Sequence, residues 1–209
     1  MLALFPKSKI LYFVSLLPSL RLSQSVFGMP KCFQMLTFAK PPQVTYPTGV
    51  AASGNGDVYV SVDLNSSLDQ KANRGKIVKC VDTDGDGVAD KFTDYVPDID
   101  SPRSSCFVGD TLYVVNPPFL SAFSDRDNDG VADEKVQLVT GMGFDLSFRG
   151  ADHTSNGVRL GIDGRLYLAI ADFGFVVSKG RDGSTLHLRG VGVIRVRPDA
   201  VSSTPLTPT

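Results

Sequence analysis

The chain has 209 residues, a formal net charge of −1 and 42% hydrophobic residues. Balanced charge without a basic stripe argues against a nucleic-acid-binding protein, so we expect no nucleic-acid partner. The 20 glycines, the 13 prolines and the lack of tryptophan, with an apolar fraction sufficient for a core, are typical of an all-β domain with many turns.

The first 32 residues differ in composition from the rest of the chain. No Asp or Glu precedes Asp57, and Lys7 and Lys9 are followed by an apolar run from Ile10 to Leu17. This pattern is typical of an export signal, and the run is too short to span a bilayer. We therefore expect an exported protein, periplasmic or membrane-associated. The alternative is a start codon placed upstream of the true one; in both cases residues 1–32 should lie outside the fold.

The three cysteines, Cys32, Cys80 and Cys106, are far apart and show neither C-x-x-C nor C-x-x-C-H spacing. Zinc and covalently bound haem within this chain are therefore unsupported. We expect Cys80 and Cys106 to be small residues of strand-like segments, with a disulfide left open.

Aromatic-centred strands recur at equal intervals around Tyr59, Tyr113 and Tyr167. Each is followed by a second β-rich run, and these runs end at Asp82, Asp125 and Asp199. Short strands that repeat in register indicate β-propeller blades, whereas a sandwich would not repeat its turns in register. The predicted fold is all-β: a partial propeller at residues 33–199, with about three blades of a presumed six-bladed ring.

Two of these runs continue into the same acidic pattern, D-x-D-x-D-G-x-x-D. Alternating carboxylates with a glycine at the sharp turn are how proteins wrap Ca²⁺. The twelfth loop position holds Thr93 or Val136 instead of glutamate, so EF-hand helices need not follow. The alternative is that Asp and Gly merely form turns. The predicted metal ligands, besides the Val88 carbonyl, are Asp82, Asp84, Asp86 and Asp90 in the first loop and Asp125, Asp127, Asp129 and Asp133 in the second.

His153 stands in the densest polar stretch of the sequence, from Gly143 to Gly174. If Asp163-Gly164 is a two-residue type I′ turn, His153 faces Gly174 and Asp172 lies about two residues along. A carboxylate beside a histidine fixes its tautomer and raises its basicity, as a general base requires. The alternative is that both residues only cap strands. Nearby polar residues are Arg149, Asp152, Asn156 and Arg159, and the second histidine, His187, is expected on the surface.

The segment DHTSNGVRLGIDGRLYLAIADFG, Asp152 to Gly174, resembles the D-H-x-S-G-R-L-x-x-G-x-D-G-x-L-Y-x-x-x-G-D-x-G segment of the glucose/sorbosone dehydrogenase family of six-bladed quinoprotein propellers. The run VGVIRVRPD resembles that family's G-x-x-x-R-x-x-x-D-G strand. The chain is also similar to the propeller of large exported proteins of planctomycetes and verrucomicrobia, usually labelled membrane-bound dehydrogenases. Those proteins often carry a haem-binding domain downstream.

The resemblance implies oxidation of a sugar or alcohol, with His153 as the base, Asp172 as its support and pyrroloquinoline quinone (PQQ) as hydride acceptor. It implies cofactor binding at Arg159 and Asn156, and a haem domain as partner in the intact gene. Ca²⁺ would be structural or would bridge the cofactor. Two departures from the family pattern are the insertion of Asn156 and the replacement of a glycine by Ala171.

After Asp199 the sequence departs from the family pattern, and the expected Arg-Asn pair is missing there. We expect residues 200–209 to be a disordered, non-homologous tail that cannot form the next strand, as in a truncated copy. Two alternatives to an enzyme therefore remain. One is a calcium-stabilised carbohydrate-binding or interaction propeller without catalysis, and the other is an inactive gene fragment with aggregation-prone strand edges.

Overall fold

The computed structural model describes residues 10–14, 33–66, 68–149, 153–198 and 203–206. Two N-terminal strands, β1 (Ile10–Val14) and β2 (Gln34–Ala39), pair in parallel. Blade 1 then contains β3 (Pro47–Ala52), β4 (Val58–Asp63), β5 (Gly75–Val81) and β6 (Lys91–Ile99). Blade 2 contains β7 (Ser104–Val108), β8 (Thr111–Asn116), β9 (Phe119–Ser124) and β10 (Glu134–Thr140).

The third blade is interrupted by an inserted hairpin. The short helix α1 (Leu146–Arg149) precedes β11 (Gly157–Leu160) and β12 (Leu166–Ile170). The hairpin of β13 (Phe175–Gly180) and β14 (Thr185–Leu188) follows, and β13 pairs with β10 at the edge of blade 2. Blade 3 is then completed by β15 (Gly192–Val196) and β16 (Ser203–Leu206), so its strand order is β11-β12-β15-β16.

The all-β fold with about three blades confirms the prediction from the repeated strands. The predicted strands around Tyr59, Tyr113 and Tyr167 are β4, β8 and β12, the second strands of their blades. Within the described residues α1, with four residues, is the one α-helix, and no helix has the length and apolar character to cross a membrane.

Two expectations about the ends of the chain are corrected by strand pairing. Residues 10–14, expected outside the fold, pair with β2. Residues 203–206, expected not to form a strand, pair antiparallel with β15. The edge of β15 offers backbone donors and acceptors, and residues 203–206 pair with them through their own backbone, although their side chains show no strand pattern. Cys32, Asp152 and Asp199 lie outside the described residues.

Every blade interface is closed by apolar side chains from both partners, which explains why β4 and β8 are buried on both faces. Leu112 and Val114 of blade 2 pack with Tyr59 and Ile77 of blade 1. Blades 2 and 3 meet through a larger cluster. The largest side chains of that cluster are almost completely buried: Leu120, Met142, Leu166, Leu168, Phe175 and Ile194.

One backbone hydrogen bond recurs at equivalent places and reveals the role of β2. Ala132 of the second acidic loop donates its amide to the Tyr95 carbonyl of β6, at 2.8 Å. Ala89 of the first acidic loop donates in the same way to the Phe38 carbonyl of β2, at 2.9 Å. Toward blade 1, β2 therefore occupies the place that β6, an outermost strand, occupies toward blade 2. In blade 2 the equivalent acceptor is the Leu138 carbonyl of β10, and the amide that donates to it, at 2.9 Å, belongs to Arg181 of the inserted hairpin.

Blades 1 and 2 are also joined by a buried ion pair. The Arg103 guanidinium donates to the Asp63 carboxylate at the end of β4, and the Arg103 amide donates to the Val115 carbonyl at 2.8 Å. The side chain of Asp63 is fully buried and that of Arg103 is 11% exposed. Burial lowers the pKa of Arg103 to about 10, so its guanidinium is charged at neutral pH.

Because successive strands run antiparallel, the connections alternate between two faces of the molecule. The acidic face carries the loops 82–90 and 125–133, each between the third and fourth strand of its blade. The histidine face carries the connections that contain His153 and Asp172, together with the Arg103–Asp63 pair. The six residues of β9 run from one face to the other, so the faces are about 20 Å apart.

Candidate functional site

His153 and Asp172 are brought together on the histidine face. His153 lies in the connection from β10 to β11, and Asp172 follows β12. The His153 Nδ1 atom is 2.6 Å from Asp172 Oδ1, and the side chains are 47% and 53% exposed. The structure thus places next to each other the two residues predicted to form a general base and its support.

The turn that joins β11 to β12 differs from the prediction. Leu160 pairs with Leu166, and the Gly161 amide donates to the Arg165 carbonyl at 2.7 Å, which leaves a three-residue turn with Gly164 at φ +72°. The two-residue type I′ turn is therefore wrong, because Asp-Gly also suits a three-residue turn that ends in a left-handed glycine.

The one-residue change in register determines what His153 packs against. Continued to the end of the hairpin, the observed register places His153 opposite Phe173, where we had expected Gly174. The two rings stack, with centroids 5.0 Å apart and planes 24° apart. His153 therefore contacts two successive residues after β12, Asp172 through Nδ1 and Phe173 through its ring.

The backbone of His153 is left-handed, with φ +52°, a conformation that is uncommon outside glycine. The two residues that follow hold this turn against the protein. Thr154 and Ser155 are 6% and 1% exposed, and the Ser155 hydroxyl donates to the Met142 carbonyl at 3.1 Å. The imidazole is thus presented to solvent from an anchored turn.

The Asp172 connection is held by Gly174. Its amide donates to the Ala171 carbonyl at 3.0 Å, and its φ is +59°. A Cβ atom at this position would lie 2.4 Å from the Leu188 carbonyl oxygen and 2.7 Å from the Gly190 amide nitrogen. Ala171, which departs from the family's glycine, is not among the left-handed residues, so alanine is accommodated without backbone strain.

Aromatic side chains extend the site away from His153. Phe144 stacks on Phe148 of α1 with centroids 4.4 Å apart, and it meets Phe173 edge-on at 6.2 Å. Sequence reasoning missed these three residues, because their contacts link α1 with the segment after β12. The aromatic spacing in the run GFDLSF, Gly143 to Phe148, was the available signal.

The two predicted cofactor contacts are placed differently. Arg159 Nη1 donates to the Val158 carbonyl at 2.6 Å and to the Ser105 carbonyl of β7 at 3.4 Å, so the guanidinium lies at the seam between blades 2 and 3. Asn156 is exposed, and its amide extends the β11–β12 pairing to the Ala169 carbonyl at 3.0 Å. His187 lies on the exposed side of β14, as expected.

Each acidic loop brings three of its four predicted carboxylates together. Oxygen atoms of Asp82, Asp84 and Asp90 lie within 4.8 Å of one another, and so do those of Asp125, Asp127 and Asp133. The fourth carboxylate of each loop lies outside these clusters. Asp86 accepts from Val88 and Asp129 from Val131, both at 2.7 Å.

Backbone amides hold these carboxylates in position. In the first loop the Gly87 amide donates to Asp82 at 2.9 Å, and the Thr83 amide and hydroxyl donate to Asp90 at 2.8 and 2.9 Å. The Thr83 bonds hold the pKa of Asp90 below its ordinary value. In the second loop the Gly130 amide donates to Asp125 Oδ2 at 2.9 Å.

The donor set fits a hard cation. The other oxygen of Asp125, Oδ1, is buried without a hydrogen-bond partner among the described residues. A cation bound by the loop carboxylates would satisfy this oxygen. The expectation that such an ion could bridge a cofactor at His153 is wrong, because the acidic loops lie on the opposite face.

Residues 19–207 match the family described as "Domain of unknown function (DUF7133)". The chain belongs to this family. No match was found among curated proteins.

Among solved structures, this DUF7133 chain is similar to the holo form of the pyranose dehydrogenase PQQ domain from Coprinopsis cinerea, with 14% identity and a TM-score of 0.48 over 72% of this chain and 38% of that chain. It is also similar to a protein from Lactobacillus plantarum, with 16% identity and a TM-score of 0.41 over 78% of this chain and 55% of that one. The DUF7133 chain thus spans less than two thirds of either solved chain.

Proposed function

We propose that this DUF7133 chain is the propeller of a dehydrogenase-type protein, in which His153 removes the proton from a sugar or alcohol hydroxyl. The observation that carries the proposal is the 2.6 Å hydrogen bond between His153 Nδ1 and Asp172 Oδ1. The pair is about half exposed, so a small molecule reaches it directly from solvent.

The chemistry follows from the tautomer. When Nδ1–H donates to Asp172, the lone pair of the imidazole resides on Nε2, which can accept the hydroxyl proton. The Asp172 carboxylate stabilises the imidazolium that results, and stacking on Phe173 fixes the plane of the ring. The carbon that bears this hydroxyl would give its hydride to an acceptor of the quinone class, so that its C–H bond and the O–H bond break while the carbonyl forms.

The predicted cofactor PQQ supplies such an acceptor when bound, and its carboxylates require donors such as arginine. Arg159, the predicted partner, instead donates to backbone carbonyls at the blade seam. Contact between Arg159, which is exposed, and PQQ stays a prediction. We propose only that an acceptor of the quinone class, of which PQQ is one, would receive the hydride.

The test is reduction of a redox dye by the protein in the presence of added PQQ, with sugars and alcohols as substrates. General-base catalysis contributes about 10²- to 10⁴-fold, so His153→Ala should lower the rate by that factor. Asp172→Asn should lower it less, because the base is retained.

His187→Ala is the matched control, since it removes the other histidine from an exposed strand. A wild-type protein without dye reduction, or a His153→Ala variant as active as wild type, would contradict the proposal.

The acidic loops favour a second function, that of a calcium-stabilised binding module without catalysis. The specific observation is Asp125 Oδ1, which is buried and has no hydrogen-bond partner in the part of the chain that the structure describes. Ca²⁺ at 100 times its Kd would stabilise the fold by about 2.7 kcal/mol, so the melting temperature should rise with Ca²⁺ and fall with a chelator.

Asp125→Asn should abolish the part of this shift that comes from the second loop, which is about half of it when both loops bind Ca²⁺ equally. Asp129→Asn, in the same loop but with its carboxylate turned to the Val131 amide, should retain more of it. Equal losses in the two variants would argue against a site built on the observed cluster. Sugar binding in wild type and in His153→Ala, without dye reduction in either, would favour the binding module over the dehydrogenase.

A further inference from the structure

The segment before α1 is fixed to the turn that presents His153. Met142 is fully buried, and its carbonyl accepts the Ser155 hydroxyl at 3.1 Å. Phe144 follows two residues later and is partly buried. Its ring is therefore carried by backbone that is anchored to the same turn as the imidazole.

The ring of Phe144 also meets the other half of the site. It contacts Phe173 edge-on, with centroids 6.2 Å apart and planes at 82°, and Phe173 stacks on the His153 imidazole at 5.0 Å. Edge-to-face and offset-stacked pairs at these distances are favourable arrangements of aromatic rings. Phe144 thus lies between the connection that carries His153 and the connection that carries Asp172.

The geometry of the pair explains why such a contact matters. A hydrogen bond at one nitrogen does not by itself fix the plane of an imidazole, which can turn about that bond. His153 and Asp172 are 47% and 53% exposed, so water competes for the hydrogen bond as well. A ring stacked on the imidazole opposes this rotation if that ring is itself held. Phe173 is partly exposed, and its edge-on contact with Phe144 holds it.

Phe148 covers the outer side of Phe144. The two rings stack with centroids 4.4 Å apart and planes 25° apart, and Phe148 is 55% exposed. Its position is set by α1, where the Asp145 carboxylate accepts the Ser147 amide at 3.0 Å. A large apolar ring is thus held at the surface, where it shields Phe144 from water.

We propose that Phe144 is a positioning residue for His153. Through Phe173 it holds the imidazole in the orientation in which Nδ1 meets Asp172. Phe148 supports Phe144 from the solvent side, so its contribution is smaller. The inference rests on the proposed function for its consequence in catalysis, but the orientation of the imidazole is measurable without any reaction.

The test is the tautomer of His153, read by NMR from the chemical shifts of the two ring nitrogens at a pH where the imidazole is neutral. The bond to Asp172 favours the Nδ1–H tautomer, so wild type should hold mainly that form. An aromatic pair shifts an equilibrium between conformers by about 2- to 10-fold, so Phe144→Ala should lower the ratio of Nδ1–H to Nε2–H by that factor. Phe173→Ala should lower the ratio at least as much, and Phe148→Ala less.

Matched variants control for the loss of an aromatic ring as such. Phe144→Tyr keeps the ring and should retain the wild-type ratio. Tyr46→Ala removes a ring that is 58% exposed in blade 1, and it should also retain the ratio. If Phe144→Ala does not fold, Phe144→Leu, which keeps apolar volume without the ring, should give the same decrease. His187→Ala identifies the signals of His153.

Two results would overturn the positioning role of Phe144. One is a tautomer ratio that a folded Phe144→Ala leaves unchanged, or that Tyr46→Ala lowers as much. The other is a wild-type imidazole that holds mainly the Nε2–H form, because Asp172 would then not receive the Nδ1 proton.

Kinetics separates this inference from the proposed function. If Phe144→Ala changes the tautomer ratio while wild type reduces no dye, the positioning role stands and the dehydrogenase falls. If dye reduction depends on His153 while the ratio does not change, the dehydrogenase stands and the positioning role falls. If both stand, Phe144→Ala should lower kcat about 2- to 10-fold with KM unchanged. A raised KM with the kcat of wild type would instead show that Phe144 binds the substrate, and would overturn the proposal.

Discussion

On the acidic face each loop is held by its own backbone, whereas on the histidine face the important contacts join distant segments. Asp82 accepts amides from residues three and five positions later, and Asp125 accepts one five positions later. His153 instead meets Asp172 across 19 residues, and Arg103 meets Asp63 across 40. The comparison teaches that the candidate ion sites form within single loops, while the candidate catalytic pair forms only when β11 and β12 pair in the observed register.

The largest expected effect comes from the long-range ion pair of the histidine face. Arg103→Met leaves the fully buried Asp63 carboxylate without its partner, which should cost about 3–5 kcal/mol of unfolding free energy. Arg126→Met breaks the pairs with Asp110 and Glu134 on the acidic face, where all three side chains are exposed, and should change the free energy of unfolding far less.

Denaturant unfolding of both variants measures the difference. The double variant Arg103→Met/Asp63→Leu should recover much of the loss, because it removes the uncompensated charge. If Arg103→Met and Arg126→Met lowered the free energy of unfolding equally, the ion pairs of the two faces would not differ in their contribution to stability.

An intermediate effect is expected from a pair of glycines, one on each face. Gly174 and Gly164 are both left-handed, so alanine costs about 1–2 kcal/mol at either position. Around Gly164 a Cβ atom would meet nothing within 4 Å, but at Gly174 it would clash with the Leu188 carbonyl. Gly174→Ala should therefore cost roughly a further 1–3 kcal/mol.

The rate of dye reduction should also distinguish Gly174→Ala from Gly164→Ala. Gly174→Ala displaces the segment that carries Asp172 and Phe173, so it should lower the rate of dye reduction at a temperature where the protein remains folded. Gly164→Ala should leave that rate unchanged. A Gly174→Ala variant with full activity would show that the Asp172 connection tolerates movement.

The smallest expected effect is the pH dependence of the first acidic loop. The hydrogen bonds from Thr83 lower the folded-state pKa of Asp90, so its contribution to stability is present above the unfolded pKa, about 4. This contribution is lost as the pH falls through the folded-state value. In calcium-free buffer, Thr83→Val should raise the pKa of Asp90 in a carboxylate NMR titration, and an unchanged pKa would show that the hydroxyl contributes nothing.

Local features were predictable from the sequence for a clear reason. The strands β4, β8 and β12 lie at the predicted equal intervals around their tyrosines, and the acidic pattern encodes side-chain oxygens at the spacing of a tight turn. Cys80 was expected to be a small buried residue, and its burial raises the pKa of the thiol to about 12. All of these depend on neighbours within a few residues.

Contacts set by register or by other segments were not predictable in the same way. Asp163-Gly164 is compatible with turns of two and of three residues, and the difference decides whether His153 faces Gly174 or Phe173. Asp86 and Asp129 have the correct spacing for ion ligands, but the folded loops place their carboxylates outside the clusters that the other aspartates form. Nothing in the sequence of the inserted hairpin indicates that Arg181 takes the place of an acidic loop toward blade 2.

The sequence by itself determined the all-β class, the repeating blade unit and the two acidic loops, because alternation, turn residues and carboxylate spacing act over short distances. Only the tertiary structure decided that those loops lie on the face opposite His153, and that Phe144, Phe148 and Phe173 form a row ending at the imidazole. The physical reason is that antiparallel strands send successive connections to opposite ends. Which connections meet then depends on strand register and on the packing of one blade against the next.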